Sequence, residues 1–141
     1  MNFIKKFFND IYIDVTWITV LTIFILFNWK GTNHEMIGVS VTIISFIFWI
    51  LARQQLGQSF SIIPKASNLV SNGIYSKIKH PMYIFSSLCV LGLIIAMNLP
   101  FLYIFWVLLV VLQIFRIKKE NKILYLKFGD KYKEYERNTW F

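Results

Sequence analysis

Four apolar runs dominate the sequence and limit what the chain can fold into. They cover roughly residues 11–29, 36–52, 81–97 and 99–115. Each run has about the 17–20 residues that a helix needs to cross the hydrocarbon core of a bilayer. Hydrophobic residues make up 57% of the 141 positions, which is too many for a soluble core of this size. We therefore predict an all-α integral membrane bundle of about four transmembrane helices, in a single domain.

The distribution of lysine and arginine predicts the orientation of these helices. Of the 15 basic residues, 14 fall on one side of the predicted spans and only Lys30 falls on the other. Because basic residues accumulate on the cytoplasmic side, we expect both termini to be cytoplasmic. The same distribution accounts for the net charge of +8. We therefore predict contact with membrane lipids and no binding of nucleic acid.

A polar segment between the second and third apolar runs ends where a helix is expected to begin. Gly73 can adopt a positive φ, and Pro81 suits the first turn of a helix. His80 would then lie beside the free N–H groups of that first turn, which favour an anionic group. The residues themselves leave a second interpretation open. In it, Lys77 and Lys79 belong to a basic interfacial loop that contacts lipid phosphates.

The C-terminal segment, residues 116–137, is predicted to form cytoplasmic helices that follow the last span. Arg116 and Glu120 are four residues apart and share a helix face. Gly129 is expected to end this helix, and Asp130 is expected to cap a short second one. Without further information, Arg116 and Glu120 could equally be an ordinary surface pair.

The residues that could bind a metal do not form a recognisable ligand set. Cys89 is the only cysteine and lies inside an apolar run, which excludes an internal disulfide and a cysteine cluster. His34 and Glu35 lie together on the opposite side, where we expect them to be solvated loop residues. We therefore predict no metal site.

Two motifs occur in a fixed order over the second half of the chain. The first runs from Leu69-Val70 through Gly73-x-Tyr75 to Lys79-His80-Pro81-x-Tyr83, and the second combines Arg116-xxx-Glu120 with Phe128-Gly129-xx-Tyr132-xx-Tyr135. Together they resemble the isoprenylcysteine carboxyl methyltransferase family and the similar phospholipid methyltransferases. The resemblance covers roughly Arg53 to Tyr135, which is more than half of the chain.

The resemblance implies a cofactor, a substrate class and a set of site residues. In that family a cytoplasmic loop and the C-terminal segment close over S-adenosylmethionine, and a lipophilic or lipid-modified substrate enters from the bilayer. The positions that match its cofactor site are Ser67, Asn68, Leu69, Val70, Tyr75, His80, Pro81, Met82, Tyr83 and Glu120. Arg116 matches the arginine that orients the substrate. A carboxylate acceptor would need no general base, whereas a phenol or enol would need one such as His80.

Four positions differ from the family pattern. Ser67 replaces a histidine, Lys79 an arginine, Phe85 a glycine, and Asn121 a second glutamate. Phospholipid amines are a further acceptor class, because the similar phospholipid methyltransferases use them. Two other functions also suit the chain: a nicotinamide-dependent membrane reductase of the steroid 5α-reductase type, and a membrane adaptor without catalytic activity.

Overall fold

The computed structural model describes residue 23 and residues 30–56 and 69–140. Four α-helices and one short 3₁₀ turn make up these parts of the chain: α1 Asn33–Leu56, the 3₁₀ turn Gly73–Ser76, α2 Pro81–Met97, α3 Leu102–Phe128 and α4 Asp130–Asn138. The described residues contain no β-strand, and Ile78 and Trp140 form an isolated parallel bridge. The predicted first span, residues 11–29, lies outside the described residues except for Ile23.

The bounds of α1 and α2 agree with the predicted apolar runs, whereas those of α3 differ. The run 36–52 lies inside α1, and the run 81–97 coincides with α2. The run 99–115 follows a turn at Asn98, which has φ 52°, and its helix begins only at Leu102. The helix that follows does not end at Arg116 but continues to Phe128. The fourth predicted span and the first predicted C-terminal helix are therefore one helix.

Gly129 both ends α3 and precedes α4. Its N–H donates to the Tyr125 carbonyl at 2.9 Å, and its φ of 52° turns the chain. The prediction that Asp130 caps the last helix was wrong. Asp130 is the first helical residue, Gly129 occupies the cap position, and no side chain caps this helix.

One helix of the described segments is long and apolar enough to cross a membrane, namely α1. α2 is apolar but has 17 residues. The described part of the chain is therefore helical as predicted, whereas the arrangement of four spans stays a prediction.

α1 and α2 pack through small and polar residues. A Cβ atom on Gly38 would overlap the backbone of Gly92 and Ala96, so the two helices approach closely at these positions. Thr42 Oγ1 donates to the Gly38 carbonyl at 2.9 Å, and the Cys89 thiol donates to the Thr42 carbonyl at 3.6 Å. Close backbone contact through small residues, with hydroxyl groups between the helices, is typical of helix pairs in membranes.

Large apolar side chains lie on the outside of α1 and α3. Those on α1 are Met36, Ile37, Ile43, Ile44, Ile47, Phe48 and Leu51, and those on α3 are Tyr103, Ile104, Phe105, Val107, Leu108, Val111, Leu112, Ile114 and Phe115. A soluble protein of this size rarely exposes so continuous an apolar surface. This inside-out distribution is what a lipid environment favours.

Glu35 differs from its predicted role as a solvated loop residue. It lies in the first turn of α1 and is buried. Its carboxylate accepts from the backbone N–H groups of Lys30 at 2.9 Å and Thr32 at 3.1 Å. The side chain thus satisfies donors in front of the helix that would otherwise be unpaired, as an acidic residue does in a capping box.

Replacement of Gly38 by valine should destabilise the α1–α2 pair. The new side chain would need the space that the Gly92 and Ala96 backbones occupy, and such overpacking costs about 1–3 kcal/mol. Thermal unfolding in detergent should show a lower Tm. Ser40→Val is the matched control, because Ser40 is exposed on the same helix. An equal Tm for Gly38→Val and Ser40→Val would contradict the close packing.

Two polar contacts fix the position of α3 along α2. Trp106 Nε1 donates to the Ser87 carbonyl at 3.0 Å, and Gln113 Nε2 donates to Ser86 Oγ at 3.1 Å. Trp106 and Gln113 are seven residues apart and so lie on one face of α3. The residues that follow on this face, from Arg116 onward, are thereby brought beside the start of α2.

Candidate functional site

The start of α2 forms the base of the site, as the sequence predicts. Pro81 is the first helical residue and His80 occupies the N-cap position. Before them, Gly73 has φ 58°, and the Ile74 N–H donates to Gln55 Oε1 at 2.7 Å. This contact ties the loop to the last turn of α1.

α4 packs over the loop from the other side. The Tyr135 hydroxyl donates to the Tyr75 carbonyl at 2.9 Å, and both residues are buried. Lys79 Nζ lies 2.7 Å from Glu136 Oε1, with only 10% of the lysine side chain exposed. Lys79 therefore holds the loop against α4. The alternative interpretation required this lysine to contact lipid phosphates instead.

His80, Asn121 and Tyr132 form a hydrogen-bonded chain between three elements. His80 Nε2 lies 2.7 Å from Asn121 Oδ1 on α3. The Tyr132 hydroxyl on α4 donates to the same oxygen at 2.7 Å. His80 is 5% exposed and Tyr132 is 2% exposed, so this chain is shielded from water.

Glu120 lies beside this chain with one oxygen unsatisfied. Its Oε2 atom is buried and is without a hydrogen-bond partner among the described residues. His80 Nδ1 lies 3.8 Å from this atom, which is too far for a hydrogen bond. A buried carboxylate oxygen without a partner is costly, and it is often explained by a ligand that supplies the missing donor.

Arg116 precedes Glu120 by one turn on α3 and is closer to the apolar part of this helix. Tyr83, on α2, lies next to both residues. The guanidinium carbon of Arg116 is 5.6 Å from the centre of the Tyr83 ring. The Tyr83 hydroxyl lies close enough to interact with both Arg116 and the Glu120 carboxylate. Tyr83 thus connects the arginine and the acid.

Burial favours the neutral forms of the histidine and of two tyrosines at the site. Burial lowers the pKa of His80, although the nearby Glu120 charge and the hydrogen bond to Asn121 oppose this effect. Burial also raises the pKa of Tyr75, and the Glu120 charge raises it further. Burial and Glu120 raise the pKa of Tyr135 to about 12. Neutral tyrosines near a carboxylate provide apolar faces and hydroxyl groups around a negative centre.

The structure brings together some of the predicted site residues and leaves others aside. Tyr75, His80, Tyr83, Arg116 and Glu120 surround one region. Pro81 is buried and Met82 half-buried in the first turn of α2, whereas Leu69 and Val70 are half-buried in an irregular segment before the 3₁₀ turn. Ser67 and Asn68 lie outside the described residues.

Sequence reasoning did not assign a role to Asn121 or to the Tyr132 hydroxyl. Asn121 stood out only as a difference from the family pattern, and Tyr132 only as a member of a motif. The available signal was their position, since Asn121 follows Glu120 directly and Tyr132 lies just after the glycine that turns the chain.

The helical architecture and the site between the start of α2 and the second half of α3 suit a membrane-embedded enzyme, and comparison with known families agrees. The family model described as phospholipid methyltransferase matches residues 33–131, which is more than half of the chain. The chain therefore belongs to the phospholipid methyltransferase family. The resemblance inferred from the two motifs is confirmed at the level of this group of membrane methyltransferases. Neither the curated proteins nor the solved structures contain a significant match to this chain.

Proposed function

We propose that this protein transfers a methyl group from S-adenosylmethionine to a lipophilic acceptor at the cytoplasmic face of a membrane. The observation that carries the proposal is that the Glu120 Oε2 atom, buried beside His80, has no hydrogen-bond partner in the described part of the chain. Family membership supports methyl transfer. The site suits a ligand that brings positive charge and hydrogen-bond donors to a carboxylate with one buried oxygen.

S-adenosylmethionine fits the chemistry of these residues. It has an ammonium group and ribose hydroxyls that can donate to Glu120, and its sulfonium group supplies the activated methyl. The tyrosine rings near the carboxylate present π-faces that attract a cation. The residues do not need to form a covalent intermediate. Their part is to bind, to orient and to exclude water, which together lower the barrier of a displacement reaction.

Arg116 and Tyr83 supply the acceptor side of the proposed site. Arg116 is exposed and lies where the apolar stretch of α3 ends, so it can meet the polar head of a molecule whose tail stays in the bilayer. A guanidinium binds a carboxylate with two parallel hydrogen bonds. We therefore favour O-methylation of a carboxylate or hydroxyl group. A phospholipid amine is the acceptor class that the family description suggests.

Equilibrium binding in detergent separates the proposed function from the two alternatives. The purified full chain would be titrated with S-adenosylmethionine and, separately, with NADPH. We expect saturable binding of S-adenosylmethionine and none of NADPH. Binding of NADPH alone would support a membrane reductase, and binding of neither would support an adaptor.

The proposed orientation has its own test, based on cysteine accessibility. Cys89 is half-buried in α2, and in a Cys89→Ala background new cysteines would be placed at exposed Ser71 and exposed Asn33. In intact cells, a membrane-impermeant thiol reagent should label the cysteine at position 33 and not the one at position 71. The opposite result would reverse the orientation and contradict a cytoplasmic site.

A further inference from the structure

The acceptor oxygen of Asn121 determines which nitrogen of His80 carries the hydrogen. Asn121 Oδ1 accepts from the Tyr132 hydroxyl at 2.7 Å and lies 2.7 Å from His80 Nε2. A carbonyl oxygen can only accept, so the hydrogen of this second bond belongs to Nε2. Both bonds thus place the amide oxygen, and not the amide nitrogen, beside the ring.

The other ring nitrogen then faces Glu120 without a hydrogen of its own. Burial lowers the pKa of His80 and so favours the neutral ring, in which Nδ1 retains a lone pair. The charged groups around the ring are Glu120 on α3, Glu136 on α4 and Lys79 in the loop. The 3.8 Å between Nδ1 and Glu120 Oε2 is longer than a hydrogen bond, as expected for two acceptors that share no proton.

We infer that Asn121 and Tyr132 are positioning residues that keep His80 Nδ1 free of hydrogen, so that Nδ1 and Glu120 Oε2 accept together from one donor group of the ligand. An ammonium group has enough hydrogens for both atoms. If Nδ1 carried the hydrogen, His80 would donate to Glu120 and the pair would be closed to a ligand. The identity of that ligand rests on the proposed function, whereas the protonation of the ring does not.

Nitrogen NMR of labelled histidine tests the arrangement directly, because the chain has only two histidines. The protein would be studied in detergent without ligand, with a His34→Gln variant to assign the signals. We expect His80 at pH 7 to have Nε2 protonated and Nδ1 bare. A ring with Nδ1 protonated, or a doubly protonated ring, would overturn the inference.

Replacement of Asn121 by leucine should move the hydrogen of the His80 ring from Nε2 to Nδ1. The Nε2 hydrogen loses its acceptor, so the form that donates from Nδ1 to Glu120 becomes favourable, and affinity for S-adenosylmethionine should fall about ten-fold. Asn138→Leu, at the exposed end of α4, is the control and should change neither the protonated nitrogen of His80 nor the affinity for S-adenosylmethionine. If the single variant does not fold, Asn121→Leu combined with Tyr132→Phe removes both polar groups together and leaves no buried hydroxyl unpaired. If His80 still carried its hydrogen on Nε2 in either variant, the inference would be overturned.

Asn121→Asp provides a second test that retains the acceptor for both partners. The added negative charge beside Nε2 should raise the pKa of His80, because it stabilises the imidazolium. Affinity for S-adenosylmethionine falls when the ring gains its second proton, so the acid limit of binding should move to higher pH than in the wild-type protein. Identical pH profiles would count against the inference. Failure of the wild-type protein to bind S-adenosylmethionine at any pH would instead reject the proposed function, while the NMR result would still stand.

Discussion

Glu120→Gln should weaken S-adenosylmethionine binding by about ten-fold to a hundred-fold, since a hydrogen bond to a charged group contributes about 1.5–3 kcal/mol. The substitution keeps the size and shape of the side chain and removes its charge. Glu120 Oε2 is buried and lacks a hydrogen-bond partner among the described residues, so an amide group in place of the carboxylate breaks no hydrogen bond of that atom. Isothermal titration in detergent would measure the affinity, and thermal unfolding would confirm that the Tm is retained.

Glu134→Gln is the matched control for this prediction. Glu134 is an exposed residue of α4 and carries the same charge, so its replacement should leave the affinity unchanged. His80→Ala should also weaken binding, because it removes the second acceptor near Glu120. Full affinity in both Glu120→Gln and His80→Ala would show that the cofactor binds elsewhere and that the family's site residues do not correspond to these positions.

The helices that the sequence predicts best are those with clear end signals. Pro81 begins α2 and Asn98, in the left-handed conformation, ends it, which is why the predicted bounds agree. α3 lacks such a signal where its apolar stretch ends, near Arg116. Lysine, glutamate and leucine after Arg116 are good helix formers, so the helix continues until Gly129. A change from apolar to charged residues indicates a change in the surroundings of a helix, from apolar to polar, but it does not by itself end the helix.

The site was predictable only in part, because its contacts depend on how α2 and α3 align. The spacing of Arg116 and Glu120 places both on one helix face, and the motif places His80 at a helix start. The contact between His80 and Asn121 follows from the alignment that Trp106 and Gln113 impose on the two helices. Such an alignment depends on packing between segments that are distant in sequence, and local patterns do not encode it.

Arg116→Lys should separate the acceptor side of the site from the cofactor side. Lysine keeps the positive charge but loses the planar fork that binds a carboxylate with two hydrogen bonds. We expect about a ten-fold loss of kcat/KM for a lipophilic carboxylic acid and little change for a neutral analogue of the same length. Methyl transfer at saturating S-adenosylmethionine measures both. Arg137→Lys, at an exposed position of α4, should affect neither acceptor.

The two readouts can distinguish the roles of Arg116 and Glu120 because Arg116 lies one turn nearer the apolar part of α3, although the Tyr83 hydroxyl lies close to both residues. Arg116 lies against the Tyr83 ring near the apolar part of α3, whereas Glu120 lies beside His80 under α4. If Arg116→Lys removed S-adenosylmethionine binding and spared turnover of the acceptor, the roles along α3 would be reversed. If it changed neither, the residue would be an interfacial anchor at the end of an apolar helix. If the acid and its neutral analogue lost activity equally, the arginine would act on a feature that both acceptors share, and carboxylate recognition would be rejected.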